Sequence, residues 1–420
     1  HVDRAFVDQH VAGYDEFVAA AREWSVERAA MVCGVPAADI VRVAEWIATI
    51  HPAMLRTGWG MERNRNGASA YLAAHGVWAL AGHFGVRGSG ILDSTSKAFP
   101  NSVLVEWPEH LDRPDRGTIN MNRVARIMNG DRSEWPVAPR VLVIQGANPA
   151  VTSVDQVGML EALSREDVFT VVHEQVMTDT AVYADVVLPA TSHFEIHDVI
   201  GSYGSYTAQE NTKVIERVGE SRSNGEVAEA LAVALGFPRA EFDASAEAVD
   251  RLVAESLCSG SISVREPGAT LQFRDTFPTF EDRKMKLWRT GHRLPGPRFV
   301  PLDDDRHPLT LITPATTFTI NSMFGDTAPP PAVVKLSLAD ASKRGIVDGQ
   351  LVEVSNDRAK VRLPADVDDA MREGVCSIPK GLWRRSVSGG LTANAFAPDT
   401  FSDLSDGACF NDARVEIRAL

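Results

Sequence analysis

The sequence has no paired cysteines. Cys33, Cys258, Cys376 and Cys409 lie far apart, with no C-x-x-C among them, so adjacent ligands for an iron–sulfur cluster or a zinc ion are lacking. They read as free thiols, mostly buried. No apolar run approaches the length that spans a bilayer, so no membrane segment is expected. Lys and Arg are nowhere concentrated, and with 42 of them against 56 acidic residues the net charge is -14. That balance argues against a nucleic-acid partner. A signal-like segment is also missing: the chain starts at His1 directly in a helical pattern and reads as a piece of a longer, cytoplasmic protein. Finally, Gly58-x-Gly60 lacks a third glycine, because Arg63 stands in its place. The incomplete fingerprint excludes an ordinary nicotinamide dehydrogenase.

What is present is a 420-residue chain with 44% hydrophobic and 23% charged residues, enough for two or three globular domains. Its most informative stretch runs from Arg140 to Glu195. Three short apolar runs, Val141–Ile144, Phe169–Val172 and Ala184–Pro189, show no polar alternation and read as strands buried on both faces. A helix from Asp155 to Leu163, with Thr152 and Ser153 as caps, separates the first two and completes a βαβ unit with a parallel sheet. Ligands bind beyond the carboxyl ends of such strands. Gly146 and Asn148 fall there after the first strand, and His173 and Glu174 after the second. Gly146 lets backbone approach a ligand, Asn148 offers a donor and an acceptor, and Glu174 can accept paired N–H donors of a guanine edge or a ribose hydroxyl. A plain turn followed by a solvated acid would look the same, and the residues alone leave both readings open.

Upstream, residues 1–51 carry helix candidates at Val2–His10, Tyr14–Ala21, Ser25–Met31 and Ala37–Ile50. Met54-Leu55 then leads through Gly58-Trp59-Gly60 to Arg63 and a helix over 68–80, a strand-to-helix turn suited to an anion, with Arg63 placed to pair with a pyrophosphate. Gly82 to Gly90 is a glycine-dense turn, and 92–135 a long connecting loop with a helix at 119–128. His193 and His197 have metal-ligand spacing only on a helix, which the residues after Leu188-Pro189 do not suggest, so no metal ligand is assigned. Gly201 to Tyr206 reads as a flexible turn, Ser223-Asn224 as the cap of a helix at 225–235, and Ser245 as the cap of another at 246–257. Residues 237–305 read as a linker. From Pro308 short β runs at 309–312, 333–336, 350–355, 359–363 and 413–417 surround a small helix at Leu338–Arg344 that ends at Gly345.

The ordered succession of strand, Gly146-Ala147-Asn148-Pro149, helix, strand, acid, and then Ala184-Asp185-Val186-Val187-Leu188-Pro189 with Glu195, resembles the dimethyl sulfoxide reductase family of molybdenum enzymes. Gly345-Ile346-Val347-Asp348-Gly349-Gln350 resembles the C-terminal barrel of the same enzymes. The resemblance covers nearly the whole chain and implies an α/β fold with a parallel-sheet nucleotide-binding part at 52–236, a helical end of another such domain at 1–51, and a C-terminal double-psi β-barrel at 306–420. It implies a molybdopterin-dependent oxidoreductase, formate dehydrogenase- or nitrate reductase-like, or alternatively a non-catalytic electron-transfer or structural relative. The cofactor would be a molybdenum or tungsten bis-molybdopterin guanine dinucleotide, the partners a small-molecule substrate and an electron-transfer subunit. By the same resemblance Trp59, Gly60 and Arg63 lie against the pterin, and Thr313, Asn321, Ser322, Asn394 and Asn411 cap the cofactor from the barrel. The 4Fe-4S cluster and the metal ligand would lie upstream of His1. Three positions depart from the family: Asn224 stands where it often has an acid, Asn321 where relatives often have His, and Asn411 where some have Lys.

Overall fold

The structure is a computed structural model that describes residues 1–94, 117–201, 208–239, 245, 247–248, 250–251, 270–302, 304–317 and 319–420. The N-terminal part begins with four helices, Arg4–His10, Tyr14–Arg22, Val26–Cys33 and Ala37–Thr49. Side-chain caps start two of them: Asp3 accepts from the Phe6 N–H at 3.0 Å and Ser25 from the Arg28 N–H at 3.1 Å. A longer helix, Gly67–Leu80, packs on them through Gly76, where a Cβ would stand 2.4 Å from the ring of Phe17. Strands β1 (Met54–Arg56) and β2 (Gly90–Leu92) pair in parallel as a sheet of their own. Val7, Phe17, Trp78 and Phe84 form the core here.

Residues 270–301, inside the expected linker, are packed structure. Met285–Lys286 pairs in parallel with Val11–Ala12, and both amide atoms of the Gln272 side chain bond the Ile91 backbone, at 2.8 and 2.9 Å. Leu287 and Leu294 are each 2% exposed. This passage buries isolated apolar residues one at a time, so it leaves no period to read. Of the expected 246–257 helix the start is described, with Ser245 accepting from Ala248 N–H at 3.2 Å and residues 247–248 and 250–251 helical; its remaining residues, the segment at 95–116, the turn at 202–207 and Cys258 lie outside the described residues. The expected 119–128 helix is a 3-10 turn, Met121–Arg123, running into Val124–Met128.

The central unit forms as expected. Strands β3 (Val141–Gln145), β4 (Phe169–Glu174) and β5 (Val186–Pro189) make a parallel sheet in that order, crossed by the Gln156–Leu163 helix. Two expectations are corrected. Thr152 closes a short helix, Pro149–Thr152, whose C-cap is Ser153, and the crossover helix starts after Asp155 in a left-handed conformation with no side-chain cap. The strands are not buried on both faces either. Ile144 and Val172 pack with Met159, Leu163, Ala125 and Ala150, while Val141 and Val143 are 59% and 58% exposed. Continuous apolar runs put apolar side chains on both faces, but among the described residues the helices cover one.

The C-terminal part is a closed barrel. Strands β6 (Leu309–Ile312), β7 (Val334–Leu336), β8 (Leu351–Ser355), β9 (Lys360–Val367), β10 (Val375–Ser377) and β11 (Arg414–Ala419) close in the order β6-β10-β7-β9-β8-β11. β9 alternates exposed and buried residues, as a strand with one face on the core must. Leu309, Leu311, Val334, Leu336, Val352 and Val415 fill the interior. β10 is three residues long, too short for the sequence pattern to reveal. The Leu338–Arg344 helix ends at Gly345 with φ 63°, as its C-cap glycine requires. Cys376 and Cys409 are buried free thiols, whereas Cys33 is exposed.

Carboxylates join the barrel part to the rest. Asp412 accepts from the Arg65 backbone at 3.2 Å and its guanidinium at 3.0 Å, and Asp399 meets Arg123 at 3.1 Å. Asp403 accepts from the N–H groups of Ala68 and Ser69 at 2.8 and 3.2 Å. It thereby caps the Gly67–Leu80 helix, whose own N-cap residue Asn66 makes no side-chain cap bond.

Candidate functional site

At the carboxyl edge of β3 and β4 lies an open cavity of about 770 Å³, a volume suited to a nucleotide. Gly146, with φ 56°, turns the chain away from β3 and donates its N–H to the His173 carbonyl at 3.0 Å. Glu174 stands beside it in the lining; one carboxylate oxygen accepts from Gln175 N–H at 2.8 Å, which leaves the other for a ligand. Lys213, Arg217 and Asn224 line the same cavity, with Lys213 and Arg217 paired to Glu216 and Glu226 at 2.7 and 2.6 Å.

Two expected contacts turn inward. His173 is 2% exposed and both ring nitrogens are engaged, with the Gln145 amide at 3.1 Å and the Arg222 carbonyl at 3.1 Å. It serves as a buried structural histidine in the cavity wall. Asn148, 4% exposed, accepts through Oδ1 from the backbone N–H and hydroxyl of Thr180 at 3.1 and 2.7 Å. Its Oδ1 is thus spent on the loop, and its buried Nδ2 has no partner among the described residues. Asn148 therefore keeps a donor, not a donor–acceptor pair, and it does not line the cavity.

Nearby, Glu195 holds the returning chain together. Its two oxygens accept from Ser192 N–H and Oγ, both at 2.7 Å, and from Val218 N–H and Ser221 Oγ, both at 2.8 Å. These donors, the backbone ones foremost, hold its carboxyl down to about 2. His193 and His197 also border the cavity, but His197 pairs with Asp250 at 2.9 Å, and no group of three metal-ligating side chains exists among the described residues.

The barrel faces a second, smaller cavity of about 40 Å³. Here Arg63 meets Thr313, Asn321 and Asn394, side chains separated by up to hundreds of residues in sequence, together with Val151 and Thr152 from the short helix after β3. The Arg63 guanidinium lies 5.0 Å from the centre of the Phe410 ring. Asn411 completes the arrangement: its N–H donates to the Arg63 carbonyl at 2.8 Å and its Oδ1 accepts from Thr313 N–H at 3.3 Å. Asn394 is fixed by donating Nδ2 to the Val151 carbonyl at 2.7 Å, which leaves its Oδ1. Ser322, expected to cap the cofactor, does not line this cavity; its carbonyl accepts from the Trp383 indole at 2.7 Å.

One cation here was not anticipated. Lys380 lines the cavity and donates to Asn321 Oδ1 at 3.2 Å; burial, and then the charge of Arg63, draw its ammonium below the usual lysine range. A bound anion would relieve that strain between two positive groups. In the sequence Lys380 is a lone lysine in the turn after β10, and no motif marks it.

Trp59 and Arg63 do not share a sheet edge with Asn148 and Glu174. β1 and β2 form a separate sheet from β3, β4 and β5. Arg63 meets the barrel because the loop after β1 turns back against residues 410–412. Trp59 and Gly60 lie on the short helix Trp59–Glu62, with Trp59 55% exposed, and line neither cavity.

The chain is thus a mixed α/β protein with a parallel-sheet unit, a closed C-terminal barrel and two cavities lined in part by polar side chains. Residues 12–234 match the family described as "Molybdopterin oxidoreductase", and residues 309–414 the "Molydopterin dinucleotide binding domain". The chain belongs to the dimethyl sulfoxide reductase family of molybdopterin oxidoreductases. It is 31% identical to "Probable oxidoreductase YoaE" of Bacillus subtilis over 99% of its own length and 64% of that protein. It is 25% identical to "Dimethyl sulfoxide reductase DmsA" of Escherichia coli, covering 97% of this chain and 60% of that one, and 24% identical to the "Dimethyl sulfoxide/trimethylamine N-oxide reductase" of Rhodobacter capsulatus, covering 91% and 56%. The chain thus spans less than two thirds of these curated relatives. Acetylene hydratase from Pelobacter acetylenicus shares the fold, with a TM-score of 0.77 at 17% identity over 100% of this chain and 68% of that one.

Proposed function

We propose that this chain is the cofactor-gripping part of the catalytic subunit of a molybdenum or tungsten oxidoreductase, with a bis-molybdopterin guanine dinucleotide held at the two cavities. The observation that carries the reading is the meeting of Arg63, Lys380, Thr313, Asn321 and Asn394 in one small cavity. Two cations and three hydrogen-bonding side chains suit a cofactor that is anionic in its pyrophosphate and polar along its pterin edge. The six-stranded barrel fits the double-psi type of this family. When bound, the group supplies the two-electron redox centre, whose metal ligand is not among these residues.

The chain's own residues bind and orient. Arg63 and Lys380 offset negative charge, Asn321 and Asn394 fix orientation through their remaining amide atoms, and Glu174 accepts from the N1–H and N2–H₂ of a guanine. The names of the relatives favour removal of an oxygen atom from a small S-oxide or N-oxide as the reaction. Formate- or nitrate-type chemistry would use the same holding residues and differ at the metal. Electrons would come from a separate electron-transfer subunit or domain. A non-catalytic role is disfavoured, because a fold that holds no cofactor has no use for two facing cations in a desolvated cavity.

The test is calorimetric titration of GDP and ADP into the purified chain and its Glu174→Ala variant. GDP should bind more tightly than ADP, and the substitution should weaken GDP about tenfold or more while leaving ADP alone, as loss of a charged acceptor costs about 1.5–3 kcal/mol. Equal affinities, unaffected by the substitution, would contradict the guanine assignment.

A further inference from the structure

Away from both cofactor cavities, a third cavity of about 300 Å³ opens between the Gly67–Leu80 helix, β2 and the 272–285 passage. Its wall is aromatic and apolar: Phe84, Phe273, Phe277 and Met285 line it. Phe273 packs edge-on against both Phe84 and Phe277, with centroids 4.9 and 6.0 Å apart, so the rings hold one another in place. Four polar side chains, His75, Asp93, Gln272 and Thr276, share the lining, and the Gln272 amide is already spent on the Ile91 backbone. Asp93 follows β2 directly, on the carboxyl edge of a parallel pair where ligands commonly settle, and one of its oxygens accepts from the Thr57 hydroxyl.

His75 is the group without an explanation. Its Nε2 is buried and has no hydrogen-bond partner among the described residues; the closest carboxylate oxygen, Asp93 Oδ1, is 3.7 Å away, beyond a hydrogen bond. Burial holds the imidazole below its usual range and outweighs the opposing pull of Asp93, so the ring is neutral near pH 7 and Nε2 can serve as donor or acceptor. A buried nitrogen left unsatisfied costs free energy that a ligand atom would recover.

We propose that this cavity is a binding site for a neutral, single-ring aromatic molecule bearing one hydroxyl, its ring against Phe84, Phe273 and Phe277 and its hydroxyl hydrogen-bonded to His75 Nε2. The volume is at the small end for ligand sites and suits one ring. The Asp93 carboxylate beside the polar end selects against anionic aromatics. The site is distinct from the cofactor reading and stands or falls without it.

The experiment is titration of the 420-residue chain with 4-methylphenol, toluene and 4-methylbenzoate, followed by ligand-observed NMR, in wild type, His75→Phe and Phe277→Ala. 4-Methylphenol should bind saturably, about three- to tenfold more tightly than toluene, as one recovered hydrogen bond implies, and 4-methylbenzoate should bind more weakly than both. His75→Phe should erase the preference for the phenol while toluene still binds, and Phe277→Ala should weaken both, with unchanged melting temperatures showing that the fold survives. Absence of saturable binding in wild type, or a phenol preference that persists in His75→Phe, overturns the proposal.

Discussion

Glu195 shows how far a single side chain reaches in this protein. Four donors converge on it, and its carboxyl is held down to about 2 against an ordinary value of 4.5. A depressed carboxyl binds fewer protons folded than unfolded, so its stabilising effect is complete above about pH 4.5 and is lost as the pH falls toward 2. The melting temperature should therefore fall on acidification through that window more steeply in wild type than in Glu195→Gln, which should already be less stable at pH 7. Parallel pH profiles for the two proteins would contradict the role given to Glu195. Side-chain direction at this scale was partly legible. Gly146 and Glu174 stand where the strand ends placed them, because a strand terminus fixes backbone position. His173 and Asn148 turned inward to satisfy the Arg222 carbonyl and Thr180, partners that are distant in sequence and carry no local signal.

Among the elements, the Gly67–Leu80 helix links the parts of the molecule. Its first turn is capped by Asp403 from the barrel side, so helix stability and domain contact depend on one carboxylate. Asp403→Ala should cost about 1–2 kcal/mol, the typical worth of an N-cap, and should open the joint between the two parts to limited proteolysis at native temperature. If the variant unfolds and is cleaved as wild type is, the cap is idle. Helices were the most legible elements, since Ser25, Ser223 and Gly345 mark their ends with residues whose chemistry is local. The packed passage at 270–301 and strand β10 were not, the first because its buried residues follow no period and the second because three residues hold too little pattern. A sequence also cannot say which strand faces are covered. β3 exposes Val141 and Val143 because burial there depends on neighbouring layers.

At the scale of the whole molecule, a chain of net charge -14 keeps Arg63 and Lys380 together where the α/β part meets the barrel. The family and the barrel were readable from the motifs. The meeting of Arg63 with Lys380 was not, since it depends on the packing of segments more than 300 residues apart. The measurement that tests this arrangement most directly is calorimetric titration of inorganic pyrophosphate into wild type, Arg63→Ala and Lys380→Ala at low and high ionic strength. The account predicts saturable binding to wild type that weakens with salt, and a loss of about tenfold or more in each variant, as removal of a charged donor implies. Wild-type binding that neither substitution alters would show that the two cations do not form the anion clamp.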